Sequence, residues 1–124
     1  MYGWRMRIGL IVPSSNTTME PEFYEMAPEG VSIHTARMRL REVQAEALRE
    51  MAEDATEAAE LLSTAGVNLL VYGCTTGSLL GGTEWERKLV EKIQRFGRVP
   101  SFSTSGAVVE ALKELEAEKI VVAT

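Results

Sequence analysis

Short apolar runs alternate along this chain with segments of helical period, and that alternation restricts the fold more than any other feature. Residues 7–12 (Arg-Ile-Gly-Leu-Ile-Val) are almost continuously apolar and stop at Pro13. Residues 67–72 form a second such run, 99–103 a shorter third and 119–124 a fourth. Runs of this length without polar alternation are the mark of strands buried on both faces. Residues 31–38 alternate instead, with Val31, Ile33, Thr35 and Arg37 on one side and Ser32, His34, Ala36 and Met38 on the other. That is the pattern of a weaker strand nearer an edge.

The intervening segments read as helices. Residues 16–26 open on the cap-type residues Asn16, Thr17 and Thr18, with Glu20 and Glu22 suited to a first turn and Pro21 tolerated only there. Pro28 and Gly30 end it. Over 42–65, apolar positions from Leu48 to Leu62 recur at steps of three and four, glutamates cover the rest, and Gly66 follows as a C-cap. Gly73 to Gly82 reads as a Gly/Thr-rich loop. Thr83 with Glu86 three positions on predicts a capping box. It would open a helix whose face is Trp85, Leu89, Ile93 and Phe96, closed by Gly97. Thr104 or Ser105 is expected to cap a last helix carrying Val108, Ala111, Leu112 and Leu115. Strands alternating with helices specify an α/β fold, a parallel sheet of about four strands flanked by helices, with right-handed crossovers.

The run at 119–124 (Lys-Ile-Val-Val-Ala-Thr) echoes the run at 7–12. A buried parallel strand needs a helix returning over it, and none follows Thr124. The expectation is therefore an N-terminal α/β domain over residues 1–118 and, at 119–124, the opening strand of a second, similar domain.

Composition narrows the function classes. A chain of 124 residues supports one core. Lys and Arg total 13 against 18 Asp and Glu, a net charge of -5, and no long basic run is present. That argues against nucleic acid and against an anionic membrane surface. No apolar run nears the ~20 residues of a membrane span, and Met1–Arg7 has no signal-like apolar core, so a cytoplasmic location is expected. The single cysteine, Cys74, excludes an intrachain disulfide. The single histidine, His34, has no partner set for zinc. A Ser-His-Asp triad would have to recruit Asp54 from a glutamate-rich helix face. Neither a Walker A nor a Gly-x-Gly-x-x-Gly pattern occurs, and no cofactor or metal is expected.

In open parallel sheets, ligands bind beyond the carboxyl ends of the strands. There the first run delivers Pro13-Ser14-Ser15-Asn16-Thr17-Thr18, the second Gly73-Cys74-Thr75-Thr76-Gly77-Ser78, and the third Ser103-Thr104-Ser105. These ends are small and hydroxyl-rich, with no carboxylate in their first positions, a rim suited to an anion. Cys74 sits at its centre, where surrounding donors would stabilise a thiolate; burial as an apolar filler is the competing reading. Asn16 suits a helix cap as well as a ligand donor, and the Gly/Thr loop suits a plain βα turn. Arg37, Arg39 and Arg41 form a small basic cluster able to hold a carboxylate or to sit in a solvated loop.

The stretch from Ile8 to Phe23 (Ile-Gly-Leu-Ile-Val-Pro-Ser-Ser-Asn-Thr-Thr-Met-Glu-Pro-Glu-Phe) resembles the opening of maleate cis-trans isomerases. Gly73-Cys74-Thr75-Thr76-Gly77-Ser78 is similar to that family's first catalytic-cysteine loop, a motif shared with the aspartate/glutamate racemase superfamily, including hydantoin racemases and arylmalonate decarboxylases. The resemblance covers essentially the whole chain. It implies a racemase-like (flavodoxin-like) half of a pseudo-two-fold, two-domain enzyme that needs no cofactor and takes one cysteine from each half. Carried over, Cys74 would be the nucleophile that adds to an alkene carbon of a small dicarboxylate, maleate, creating a single bond about which it rotates. Asn16 would hold a substrate carboxylate. Thr75 and Thr76, with neighbouring N–H groups, would bind carboxylate oxygen or developing enolate charge. Ser14 and Ser15 would shape the same rim. In the family the chain continues past the position of Thr124 into a half bearing the second cysteine.

Arylmalonate decarboxylases resemble this pattern but place a non-cysteine residue in the first loop, so Cys74 points away from that activity. A two-cysteine amino-acid or hydantoin racemase stays open, as does a half-domain that only binds carboxylates or self-associates. Self-association is expected, since a half-enzyme exposes the apolar surface its partner half would cover. A homo-oligomer with two-fold symmetry could bring two copies of Cys74 face to face.

Overall fold

The computed structural model describes residues 1–40, 45–79 and 81–123. Its elements run β1 (Met6–Pro13), α1 (Met19–Met26), β2 (Val31–Met38), α2 (Ala45–Thr64), β3 (Leu69–Tyr72), α3 (Thr75–Leu79), α4 (Gly82–Gly97), β4 (Ser101–Ser103) and α5 (Thr104–Glu114). The four strands form one sheet in the order β2-β1-β3-β4, every neighbouring pair parallel. This is a parallel α/β architecture with helices on both faces of the sheet. The chain leaves β1 toward β2 on one side, then returns past it to β3 on the other. The sheet order thus switches between β1 and β3, and the loops leaving these two strands diverge and frame a crevice.

The near-continuous apolar character of β1 has its reason in the layers. Leu10 and Val12, with Ile33 of β2, face α1 and pack with Met19, Phe23 and Ala27. Ile11 faces the opposite way with Met38, Leu70 and Tyr72, under α2 and α4. Helix α2 supplies Met51, Ala55, Ala58, Ala59 and Leu62 to that layer, and α4 supplies Leu89 and Ile93. The expected start of the long helix at 42–44, Arg41 before it and the side chain of Leu48 lie outside the described residues. Gly9 lets the layers close: a Cβ there would stand 2.6 Å from Leu70 Cδ2.

Several local expectations give way to tertiary contacts. The Thr83–Glu86 capping box does not form, because α4 begins at Gly82 with Gly81 as its N-cap and no side-chain cap. Glu86 turns instead to the end of β4, where its carboxylate accepts from the hydroxyls of Ser103 and Ser105. Ser103, not Thr104 or Ser105, caps α5, accepting from the N–H of Gly106 at 2.9 Å. Gly97 is the last helical residue of α4, and the left-handed residue that ends the helix is Arg98, at φ 57°. A Cβ on Gly97 would run into Leu70, so this glycine serves close packing. The loop expected over Gly73 to Gly82 contains the single-turn helix α3. The second run enters the sheet only at Leu69, since Asn68 answers Arg7 with its side chain as well as its backbone.

The echo run carries no strand over its described residues, 119–123, and Ile120, Val121 and Val122 are exposed. Phe102 on the edge strand β4 and Val108 and Val109 on α5 are exposed as well. Among the described residues, no helix is long and apolar enough to cross a membrane.

Candidate active site

Both loops at the switch point leave strands whose ends are pinned by backbone hydrogen bonds. The N–H of Ser14 donates to Met38 O at 2.7 Å, and that of Gly73 to Ile11 O at 2.7 Å. Beyond β1 the loop is built around Asn16. Its Oδ1 accepts from the backbone N–H groups of Thr18 (3.1 Å) and Met19 (2.9 Å), so the oxygen caps the start of α1. The side-chain Nδ2 then remains a donor. The cap reading and the donor reading thus belong to opposite ends of one amide.

Arg37 buttresses the same loop from β2. One guanidinium nitrogen donates to Asn16 O (2.7 Å) and Ser14 O (3.3 Å), and the other pairs with Glu20 at 3.4 Å. Arg37 is solvent-exposed, as one of its two readings had it, and it also tethers two backbone carbonyls of this loop. The Arg39 N–H donates to Asp54 Oδ2 at 2.9 Å, which ties Asp54 to the β2 exit. His34 Nε2 pairs with Ser32 Oγ at 2.9 Å, a satisfied strand residue.

The loop beyond β3 carries the thiol. Cys74 is half-buried, and the N–H of Gly77 donates to its sulfur at 3.4 Å. Thr75 Oγ1 reaches Thr104 Oγ1 at 3.3 Å, which links this loop to the end of β4. Behind the thiol lies Tyr72, fully buried, its hydroxyl without a hydrogen-bond partner among the described residues. Burial first, then the neighbouring Cys74, push the phenol above its ordinary range.

The two loops enclose a cleft of about 520 Å³. Ser15, Asn16, Cys74, Thr75, Thr76 and Thr104 give it a rim of neutral polar groups, and Met19, Phe23, Leu40 and Met51 an apolar wall. Glu22 is the carboxylate in the lining. Of the residues expected at the rim, the structure brings together Asn16, Ser15, Cys74, Thr75 and Thr76. Ser14 stands behind it, its hydroxyl accepting from the N–H of Leu40 at 3.1 Å. Of the third strand end expected at the rim, Thr104 lines the cleft, whereas Ser103 and Ser105 turn to Glu86. Tyr72 was not expected near the site and had no signal beyond its place two residues before Cys74. Among the described residues, no group of three His, Cys, Asp or Glu side chains could hold a metal ion.

A family model described as arylmalonate decarboxylase matches residues 8–124. The chain belongs to the arylmalonate decarboxylase family. Several relatives of this family member are maleate isomerases. It is 35% identical over 128 residues to the one from Pseudomonas putida, covering 94% of this chain and 51% of that protein. To the enzyme from Geobacillus stearothermophilus it is 35% identical over 127 residues, covering 92% and 51%. The chain thus spans about half the length of the curated relatives it matches. A solved cysteine-to-alanine form of the maleate isomerase from Pseudomonas putida S16 with maleate superposes at TM-score 0.79 and 31% identity, over 90% of this chain and 49% of that one. A cysteine-to-serine mutant of the Nocardia farcinica maleate cis-trans isomerase with a covalently bound succinylcysteine intermediate gives 0.76 at 28%, over 90% and 49%.

Proposed function

We propose that this chain is the N-terminal half of a cofactor-independent cis-trans isomerase that converts maleate to fumarate through Cys74. One observation carries the reading: the single thiol opens into the same cleft as Asn16, among neutral donors. Apart from Glu22 the polar lining of the cleft is uncharged, which suits a carboxylate that must turn, because hydrogen bonds from amides and hydroxyls hold it without the deep well of a buried ion pair.

The steps follow from that placement. Ionised Cys74 adds to one alkene carbon, forming a C–S bond, and the π electrons move onto the adjacent carboxylate as an enolate. Thr75, Thr76 and nearby N–H groups stabilise that charge, while Asn16 Nδ2 and Ser15 hold the other carboxylate. The former double bond, now single, rotates. Return of the enolate electrons re-forms the alkene in the trans geometry and expels the thiolate, so atoms and electrons balance without an external reagent. A proton captured by the enolate would instead give a succinyl thioether, whose reversal needs a base. We assign that base to a second half, for which the greater length of the curated relatives leaves room.

The free thiol fits a reducing cytoplasm. The exposed Phe102, Val108, Val109 and Val121 fit a surface that the second half covers, or that a second copy covers when this chain stands alone. Light scattering of the isolated chain should show a homo-oligomer at micromolar concentration; a stable monomer overturns that part.

The test is incubation of the full-length reading frame with maleate, following fumarate by proton NMR. Turnover lost in Cys74→Ser supports the covalent route, and undiminished turnover removes it. Solvent deuterium appearing at the Cα of an amino acid or hydantoin, with no fumarate formed, would make the protein a racemase instead.

A further inference from the structure

Among the described residues the hydroxyl of Tyr72 is a buried donor without an acceptor, which costs stability unless something uses it. Its neighbourhood shows what that use is. A Cβ built on Gly77 would stand 2.8 Å from Tyr72 Oη and 3.0 Å from Cys74 Sγ. Oxygen and sulfur therefore both border the space a side chain at position 77 would fill, without being bonded across it. Glycine keeps that space open, and the Gly77 N–H already donates to the sulfur from the α3 side. A neutral thiol is a weak acceptor, whereas a thiolate is a strong one. Ionisation of Cys74 thus strengthens the attraction between the sulfur and the unmet donor across that space.

We propose that Tyr72 is a positioning residue for Cys74, its hydroxyl donating to the sulfur once the thiol ionises and holding the thiolate toward the cleft. The proposal rests on Cys74 being the reacting group. It explains why a tyrosine occupies a strand position where phenylalanine would pack as well: the ring belongs to the core under α2 and α4, and only the oxygen is left over. Burial and the adjacent sulfur both keep this phenol protonated, as a donor must be.

The test is the rate of iodoacetamide alkylation at Cys74 against pH, read by mass spectrometry of the Cys74 peptide. This readout needs no turnover and so is separate from the isomerase reading. In Tyr72→Phe the half-maximal pH should move up by about one unit, and the rate at neutral pH should fall about tenfold, with the limiting rate at high pH unchanged. Profiles that superimpose would overturn the proposal. So would a changed limiting rate without a shift, because that reports altered packing. Should Tyr72→Phe fail to fold, 3-fluorotyrosine in place of Tyr72 supplies a more acidic donor of nearly equal size. It should move the profile to lower pH, and an unmoved profile counts against the idea as firmly. Loss of maleate turnover in Cys74→Ser bears on the isomerase alone, so the two readings fail separately.

Discussion

The two loops that frame the cleft are built on opposite plans. The loop after β1 is heavily bonded: Asn16 Oδ1 accepts two backbone N–H groups, Ser14 Oγ accepts a third, and Arg37 closes two carbonyls. The loop after β3 is left partly open. Its thiol receives one long N–H contact, and the tyrosine hydroxyl beneath it has no partner among the described residues. A loop held by this many bonds presents its free donors at fixed places without reorganising. A loop with unmet polar groups has capacity in reserve for a charge that appears during a reaction. The contrast assigns binding to the first loop and bond-making to the second.

The largest effect should come from Asn16 Nδ2, a donor that the first loop's own bonds leave for a ligand. Asn16→Asp keeps an oxygen for the cap but replaces Nδ2 with a second, charged oxygen facing the ligand. Affinity for succinate, a saturated analogue that cannot react, should drop about a hundredfold, ~3 kcal/mol. Protection of Cys74 from alkylation measures it. Asn16→Ala should lose comparable affinity and, in addition, about 1 kcal/mol of folding stability, because it removes the cap as well. Equal protection in Asn16→Asp and the unaltered chain would break the division of labour between the loops.

Crowding the second loop comes next. Gly77→Ala places a methyl within 3.0 Å of both Tyr72 Oη and Cys74 Sγ. Overpacking of this kind costs about 1–3 kcal/mol, read as a lower urea midpoint. A variant as stable as the parent would mean that the second loop is pliable and the contrast overstated.

The β3 strand beneath that loop should also respond to alkali. The Tyr72 phenol is held above its ordinary value of 10.0, so between the unfolded and folded values the native state keeps a proton that the unfolded chain has lost. Stability is full below about pH 10 and falls as pH rises further, with a slope of at most ~1.4 kcal/mol per pH unit for one proton. Comparison with Tyr72→Phe isolates this share: the parent's urea midpoint should decline more steeply above pH 10 than the variant's. Parallel declines would mean that the tyrosine ionises as freely folded as unfolded.

How much of this was legible in the residues depended on how local each signal is. The parallel sheet, its helices and the polar rim follow from short-range pattern: apolar runs, cap residues and the Gly-Cys-Thr-Thr step after a strand. Asn16 was readable as a cap because its partners are two and three residues away. Glu86 was not, because hydroxyls 17 and 19 residues along the chain compete for its carboxylate and win. Ser14 and Ser15 are chemically identical neighbours, and only the direction each takes on leaving β1 sends one to the cleft and the other to Leu40. Tyr72 looked like any aromatic strand residue, since its importance lies in one atom beyond the ring.

Arg37 belongs to the same lesson and gives the smallest expected effect. It lies 21 residues from Asn16, and nothing in its neighbourhood marks it as a support for that loop. Its side chain is 42% exposed and its pairing with Glu20 is long, so the ion pair itself contributes little. The carbonyl contacts carry what effect there is, being charge-assisted but open to solvent. Arg37→Met should therefore cost about 0.5–1 kcal/mol in stability and weaken succinate protection of Cys74 two- to fivefold, roughly the same free energy. Arg37→Lys offers a single point charge in place of a fork and should recover only part of the loss. The two variants sharpen the comparison between the loops, because the alkylation rate of Cys74 without ligand should be the same in both as in the parent. A change in that rate would mean that the first loop also governs the thiol, and that the plans of the two loops are not independent.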